Sequence, residues 1–422
     1  ALLSKNREEL ILTDLACQCN GVTTVPLNDS AFDETTINYY LDLTKVPTLA
    51  MEGLYAKKVI ECRQNGGAQH LQHIILFDLE DKADFERLKE TGLNVYMYSD
   101  VIKMGINYKC EFKHPGPNDV LCLAFTSGTT GQSKAAMITH GSLMSNISFI
   151  KTSGFKLKKG ETFYSISAFA HISERWIHAL SIYSGYKIGF TTGKQELILD
   201  DLKHLRPTLG GGMPKNLQII ESKIKKFISE QPLLKRKLIE KAFKTKYKLN
   251  EKDDKMCLRH HFWDALVFKK FKKILGGRTK FMLTGAAHVS KEVKRFARAV
   301  FGCPIVEAYG QTETSSVVFF TKTHDPYYNH TGGPSTNIEM KLIDCPDLNY
   351  YTTDTDDDGN PMPRGEILLR GPTIFKGYMG DPENTKKAID EEGWLHTGDI
   401  GAIITTHGNT LRIIDRIKNI FK

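Results

Sequence analysis

Apolar and polar positions along the first hundred or so residues alternate between a helical and a strand period. "NREELILTDLACQCNG" (6–21) spaces its apolar residues along one helical face, whereas "VTTVPL" (22–27) and "QHIILFDL" (72–79) read as strands. Such alternation predicts α/β layers around a largely parallel sheet. After the proline loop "HPGPND" (114–119), "DVLCLAFT" (119–126) reads as a buried strand and "HGSLMSNISFI" (140–150) as a helix. "KFMLTGAA" (280–287) and "PIVEAYGQTET" (304–314) are further strands ending in Gly, Ser or Thr, with the helical "KEVKRFARAVFG" (291–302) between them. Open α/β sheets bind ligands beyond the carboxyl ends of their strands, so these three ends are expected to wall one pocket. From about residue 336, "IEMKLI", "GEILLRG" and "TLRIID" change the pattern to short strands and turns. The expected fold class is therefore α/β, with two α/β-layered subdomains (1–116, its start truncated, and 117–335) and a smaller β-rich subdomain (336–412).

Composition changes this picture in two places. The chain has 422 residues and a formal net charge of +8, and twelve Lys or Arg stand against five Asp or Glu between Lys223 and Lys255. Apolar residues recur there at helical spacing around Pro232, which predicts a helical hairpin. Its bland reading is a solvated basic face; the sharper one is a surface for an anionic membrane or another polyanion. Nucleic-acid binding is not expected, since no aromatic stacking platform accompanies the charge. The eight cysteines are scattered without a C-x-x-C, as in reduced cytosolic chains. No apolar run is long enough for a transmembrane helix, so the expected location is the cytoplasm or the surface of an intracellular membrane such as the endoplasmic reticulum.

The densest chemistry is "FTSGTTGQSKAAMITH" (125–140). Thr126, Ser127, Gly128, Thr129, Thr130 and Gly131 precede Lys134 in a turn where hydroxyls, backbone N–H groups and an ammonium could cradle phosphate. The spacing is neither the G-x-x-x-x-G-K-[ST] nucleotide loop nor the G-x-S-x-G hydrolase elbow.

"TSGTTGQSK" resembles the signature phosphate loop of the adenylate-forming superfamily, which comprises acyl-CoA synthetases, peptide-synthetase adenylation domains and luciferases. "LTGAA" (283–287), "YGQTET" (309–314), "GWLHTGD" (393–399) and "IIDRIKNIFK" (413–422) follow in that superfamily's order. "FAHISERW" (169–176), "LILDDLKHLRPTL" (197–209) and "GYMGDPENTKKAIDEEGWLHTGDIG" are most similar to eukaryotic-type long-chain fatty acyl-CoA synthetases. Ser133 stands where the usual form has Pro, Lys215 where Arg is common, and His288 where Pro is usual. The resemblance implies that 413–422 begins a hinge to a C-terminal swinging domain not contained in these 422 residues, and that a further segment precedes residue 1.

It also implies ATP-dependent activation of a long-chain fatty acid to acyl-AMP, then thioester formation with CoA, with ATP, Mg²⁺ and CoA required. The alternatives are an acyl-AMP ligase loading a carrier protein and a catalytically silent lipid- or nucleotide-binding module. By resemblance, the 126–131 loop wraps the β- and γ-phosphates, with Lys134 as counter-charge. Glu313 holds Mg²⁺, an oxygen-ligand role that suits a hard cation. Thr312 donates to the α-phosphate, Tyr309 stacks on adenine beside Gly310 and Gln311, and Asp399 and Arg416 bond the ribose. Gly285, Ala286 and Ala287 lie beside adenine, His171 sits by the acyl carboxylate, and Trp176 with Gly210, Gly211 and Gly212 lines the acyl tunnel.

Overall fold

The computed structural model describes residues 1–28, 34–108, 110–126, 133–151, 158–212, 214–250, 256, 258–285 and 289–420. The chain forms two compact units. The first is Ala1–Gly141 with Ser167–Arg175 and Phe375–Gly380; the second is Ser142–Ile166, Trp176–Ile374 and Asp381–Lys422.

In the first unit, strands β1 (Leu2–Leu3), β2 (Thr48–Met51), β3 (His73–Leu76) and β4 (Asn94–Met97) make a parallel four-stranded sheet in sequence order. The expected first helix spans Glu8–Cys19. Leu3, Leu49, Met51, Ile74 and Leu76 are fully buried in one core. "VTTVPL" makes only isolated bridges, Leu2 to Pro26 and Thr24 to Cys122, because Pro26 has no N–H to offer a ladder. Strand β5 (Val120–Thr126) pairs antiparallel with β6 (Lys134–Thr139), setting Thr126 opposite Lys134. These two strands form a sheet of their own. Thr126 is thus followed, after the intervening residues, by an antiparallel partner strand and not by a helix. Residues 117–141 also pack with the first unit, because Leu123 and Ala135 join the core of Leu3 and Val25.

In the second unit, β7 (Thr162–Ser165), β8 (Lys187–Phe190), β9 (Leu209–Gly212), β10 (Phe281–Gly285), β11 (Ile305–Gln311), β12 (Ser316–Phe320) and β13 (Gly333–Pro334) form a seven-stranded sheet ordered β13-β12-β11-β10-β9-β7-β8. From β8 to β11 the pairing is parallel; β12 and β13 run antiparallel. The helix Lys291–Phe301 is N-capped by Ser290 and ends on Gly302 at φ +60°, the left-handed position that favours glycine. It buries Val293, Phe296, Ala297 and Val300. Strands β14 (Glu339–Ile343), β15 (Arg364–Arg370), β16 (Leu395–Ile404) and β17 (Thr410–Arg416) then make an antiparallel sheet, which is the β-rich part expected after residue 336. The basic hairpin is present as helices Pro214–Ser229 and Leu233–Asn250 on either side of Pro232. No helix of the described residues is long and apolar enough to cross a membrane.

Candidate active site

In the first unit, Lys134 opens β6, and its Nζ lies 5.1 Å from the centre of the Tyr378 ring. That ring is supplied by the segment Phe375–Gly380, held on β6 by Lys376 N to Met137 O and Met379 N to Ala135 O, both 2.9 Å. Tyr39 Oη donates to Ser133 O (2.8 Å), and Tyr40 Oη to Ser133 Oγ (3.2 Å). The sequence reading missed these three tyrosines; the nearest signal was Tyr378 inside the quoted "GYMGDPENT". Ser127, Gly128, Thr129, Thr130, Gly131, Ala286, Ala287 and His288 lie outside the described residues.

His171 is exposed on the segment Ser167–Arg175. Asn6 fixes that segment, donating from Nδ2 to Ser167 O (2.6 Å) and accepting from Phe169 N (3.0 Å). Arg175 anchors its far end through a buried ion pair to Asp14.

The second unit gathers three of the expected residues around a fourth, Asp399, whose side chain is buried on β16. Tyr309 Oη donates to Asp399 Oδ2 (2.8 Å), and Gln311 Nε2 to the same oxygen (2.6 Å). Arg416 Nε lies 3.2 Å from Oδ1, yet that buried oxygen has no aligned hydrogen-bond donor among the described residues. Asp399 thus keeps an acceptor open, where a hydroxyl would fit. Burial first, then the Asp399 charge, pushes the Tyr309 phenol well above its ordinary range, so it donates as a neutral hydroxyl. The Tyr309 ring centre stands 5.9 Å from that of Phe319, at the edge of the core shared by β12 and β15.

Local folding explains this cluster. Cross-strand register places Asp399 opposite Arg416, and a bulge at Tyr309/Gly310 turns the end of β11. No side chain fits at Gly310, because a Cβ would stand 1.9 Å from Ser316 O. Thr312–Thr314 form a short 3-10 turn, tied by Gln311 N to Thr314 Oγ1 (2.8 Å). Ser315 (φ 54°) and Ser316 (φ 99°) then take backbone shapes unusual for non-glycine residues, a strain that proteins hold at functional sites. Buried polar contacts brace the turn: Asn146 Nδ2 donates to Thr314 O (3.0 Å), and Ser315 Oγ to Ser142 Oγ (2.9 Å). Thr312 and Glu313 lie half-buried on this turn. A half-buried carboxylate there suits an oxygen-ligated Mg²⁺.

The same unit holds an apolar cavity of about 530 Å³ counting its open mouth, bordered by Trp176, Leu180, Gly210, Phe281, Leu283 and Phe320. A second cavity of about 550 Å³ shares Gly210 and Leu283 and adds Gly211. Trp176, Gly210 and Gly211 therefore border apolar space. Gly285 ends β10, where a Cβ would meet Ala308 O at 2.7 Å.

The profile of the AMP-binding enzyme family matches residues 1–379. The chain is 35% identical to the peroxisomal long chain acyl-CoA synthetase 6 of Arabidopsis thaliana, over 99% of this chain and 58% of that protein. It is 34% identical to fatty acyl-CoA synthetase A of Dictyostelium discoideum, over 100% of this chain and 61% of that one. It thus spans about three-fifths of the length of these relatives. The solved adenylation domain of a carboxylate reductase from Mycobacterium chelonae superposes with a TM-score of 0.79 at 22% identity, covering 99% of this chain and 61% of that one, a likeness of fold. With its profile match, shared fold and ordered motifs, the chain belongs to the AMP-binding, adenylate-forming enzyme family.

Proposed function

We propose that the chain is the adenylating part of a long-chain fatty acid–CoA ligase that uses ATP. The observation that carries this reading is one unit holding both an open-mouthed apolar cavity and, around Asp399, a buried carboxylate oxygen without an aligned donor among the described residues. The names of the long-chain acyl-CoA synthetase relatives support it. A carboxylate is a poor acylating agent because its leaving group would be oxide. Attack of one carboxylate oxygen on the α-phosphorus forms the acyl-phosphate bond and breaks the bond to the β-phosphate oxygen, releasing pyrophosphate. A CoA thiolate then attacks the acyl carbonyl, and AMP leaves. Negative charge grows on the phosphates in the first step, so the protein's task is positioning and electrostatic stabilisation.

In this reading Asp399 Oδ1 and Arg416 take the ribose hydroxyls, and Tyr309 supplies its ring to adenine. Lys134 and the 126–131 turn neutralise the β- and γ-phosphates. Thr312 donates to the α-phosphate, and Glu313 holds Mg²⁺, which supplies further counter-charge. His171 stands by the acyl carboxylate, and the cavity bordered by Trp176 and Gly210 takes the chain. Pyrophosphate release on adding fatty acid to the whole protein tests the first half-reaction. Lys134→Ala combined with Glu313→Ala is expected to abolish it, and unchanged turnover would sink the assignment. A carrier-loading ligase would form the same acyl-AMP. Adding CoA or a carrier protein after acyl-AMP has formed separates the two.

Gly210 provides a second test. A Cβ there would stand 3.0 Å from Met282 Cγ and 3.4 Å from Thr279 Cγ2, and the residue borders both cavities. Gly210→Leu is expected to lower kcat/KM for a long acid about 10- to 100-fold, because each excluded methylene forfeits on the order of 1 kcal/mol of burial. A short acid should keep most of its rate. An equal loss for both lengths would place the acyl chain elsewhere.

A further inference from the structure

Between Lys223 and Lys248 there are ten Lys or Arg and two Glu, a surplus equal to the net charge of the whole chain. The hairpin does not spend this charge internally. Its inner face packs Ile220, Ile224, Ile239, Ala242 and Phe243 into the core that contains Phe296 and Val300. Of the ten cations, Lys246 is buried against Asp264 (2.6 Å), Lys225 pairs with Glu221 (2.7 Å), and Arg236 faces Glu240 (3.7 Å). Lys235 donates to Gln231 Oε1 (2.6 Å), and Lys223, Lys226, Lys237, Lys241, Lys244 and Lys248 remain exposed. On the second helix Lys237, Lys241, Lys244 and Lys248 recur at i+3 and i+4 spacing, so they share one face.

Apolar residues stand among them. Leu234 is 85% exposed and Leu233 56%, at the turn where the second helix begins. Leu238 follows Leu234 by four residues on the same face, and Phe227 and Ile219 are exposed on the first helix. Two adjacent exposed leucines at a helical tip, backed by a lysine face, need an occupant offering both anionic charge and hydrocarbon. Nucleic acid or a soluble polyanion offers the charge alone. A second copy of this hairpin offers the leucines but sets lysine against lysine. An anionic bilayer offers both: headgroups for the lysines and an acyl boundary for the leucines.

We propose that the 214–250 hairpin is a membrane-docking element that lays its lysine face on an anionic bilayer and inserts Leu233 and Leu234. The inference goes beyond the ligase reading and does not rest on it, since it uses no residue of the candidate active site.

The test is co-sedimentation of the 422-residue chain with vesicles of phosphatidylcholine containing about one-third phosphatidylserine, or none, at about 0.1 M and about 1 M salt. Binding is expected only to the anionic vesicles and only at the lower salt. The combination Lys223→Ala, Lys237→Ala, Lys241→Ala and Lys244→Ala should weaken it on the order of 100-fold. Leu233→Ser with Leu234→Ser should weaken it roughly 10-fold or more. These positions are exposed, so circular dichroism should be unchanged. Leu234→Trp adds a direct readout, its emission shifting to the blue on anionic vesicles. Equal binding to neutral vesicles would overturn the proposal. So would anionic binding untouched by the leucine pair, which would mark a general polyanion surface. Concentration-dependent dimerisation lost in the leucine variant would overturn it in favour of a second copy. Pyrophosphate release from a short, water-soluble acid reads the ligase site without any bilayer, so failure of either reading is told apart from failure of the other.

Discussion

Asp399→Asn is expected to weaken ATP use by the whole protein roughly 100-fold, mostly as a higher KM for ATP. The carboxylate accepts from Tyr309 Oη and Gln311 Nε2 on one oxygen and keeps the other buried, near Arg416 but without an aligned donor among the described residues. A hydrogen bond to an ionised group contributes about 1.5–3 kcal/mol, against about 0.5–1.5 for a neutral one. Asparagine keeps the shape and removes the charge. It can also turn an NH₂ toward donors, costing both the ribose bond and the Arg416 pairing. Tyr309→Phe is the comparison. It removes one of two donors to Oδ2 while Gln311 stays, so a loss of about 10-fold or less is expected. Equilibrium binding of a fluorescent ATP analogue and ATP-dependent kinetics check both, with thermal melts confirming that each variant folds. A native KM in Asp399→Asn would remove Asp399 from the nucleotide site.

The contrast between these residues and the phosphate turn shows what sequence can and cannot carry. Tyr309 and Gln311 lie on β11, Asp399 on β16 and Arg416 on β17, the first strand and the last two about a hundred positions apart, and only motif order hinted that they meet. Register then does the work: the antiparallel pairing of β16 with β17 puts Asp399 across from Arg416, a geometry that no local pattern encodes. Periodicity served well where burial is one-sided, as in the helices Glu8–Cys19 and Lys291–Phe301. It failed for "VTTVPL", where a strand-like composition meets Pro26 and the chain makes bridges instead of a ladder. It also gave no topology for "DVLCLAFT". An apolar run reads the same whether its partner is parallel or antiparallel, and here the partner was the "KAAMIT" stretch that immediately follows the turn. The basic hairpin was legible as helices and as charge. That two leucines lie uncovered at its tip required coordinates, because an apolar residue on a helix is ordinarily a core residue.

Asp14→Ala is expected to destabilise the first unit by about 3–5 kcal/mol, the largest effect on stability among single changes at its buried charges. Asp14 sits on the helix Glu8–Cys19 with 2% of its surface exposed, and Arg175, which it pairs, is equally buried. Thr24 Oγ1 donates to Asp14 Oδ1 (2.7 Å) and accepts from Arg175 Nη2 (2.8 Å), closing a three-membered network. The guanidinium stacks 4.8 Å from the Phe169 ring centre, and its Nε and Nη1 have no hydrogen-bond partner among the described residues. Burial is the largest influence on Arg175 and works against its charge, but Asp14, through attraction and hydrogen bond, together with Cys122 and Cys17 more than offsets it, so the guanidinium stays charged. Removing the carboxylate leaves that cation in a low dielectric, hydrogen-bonded among the described residues to one hydroxyl and stacked on one ring face. At about 2–4 °C per kcal/mol for a unit of this size, the melting transition should fall by roughly 10 °C. Glu9→Ala is the contrast: its pair with Arg7 is partly exposed, and a change under about 1 kcal/mol is expected. The double change Asp14→Leu with Arg175→Met should recover most of the loss, since an apolar pair leaves no orphan charge. Thermal or urea denaturation measures all three. A loss below about 1 kcal/mol in Asp14→Ala would mean that water reaches Arg175, and that the segment carrying His171 is held by Asn6 and not by this ion pair.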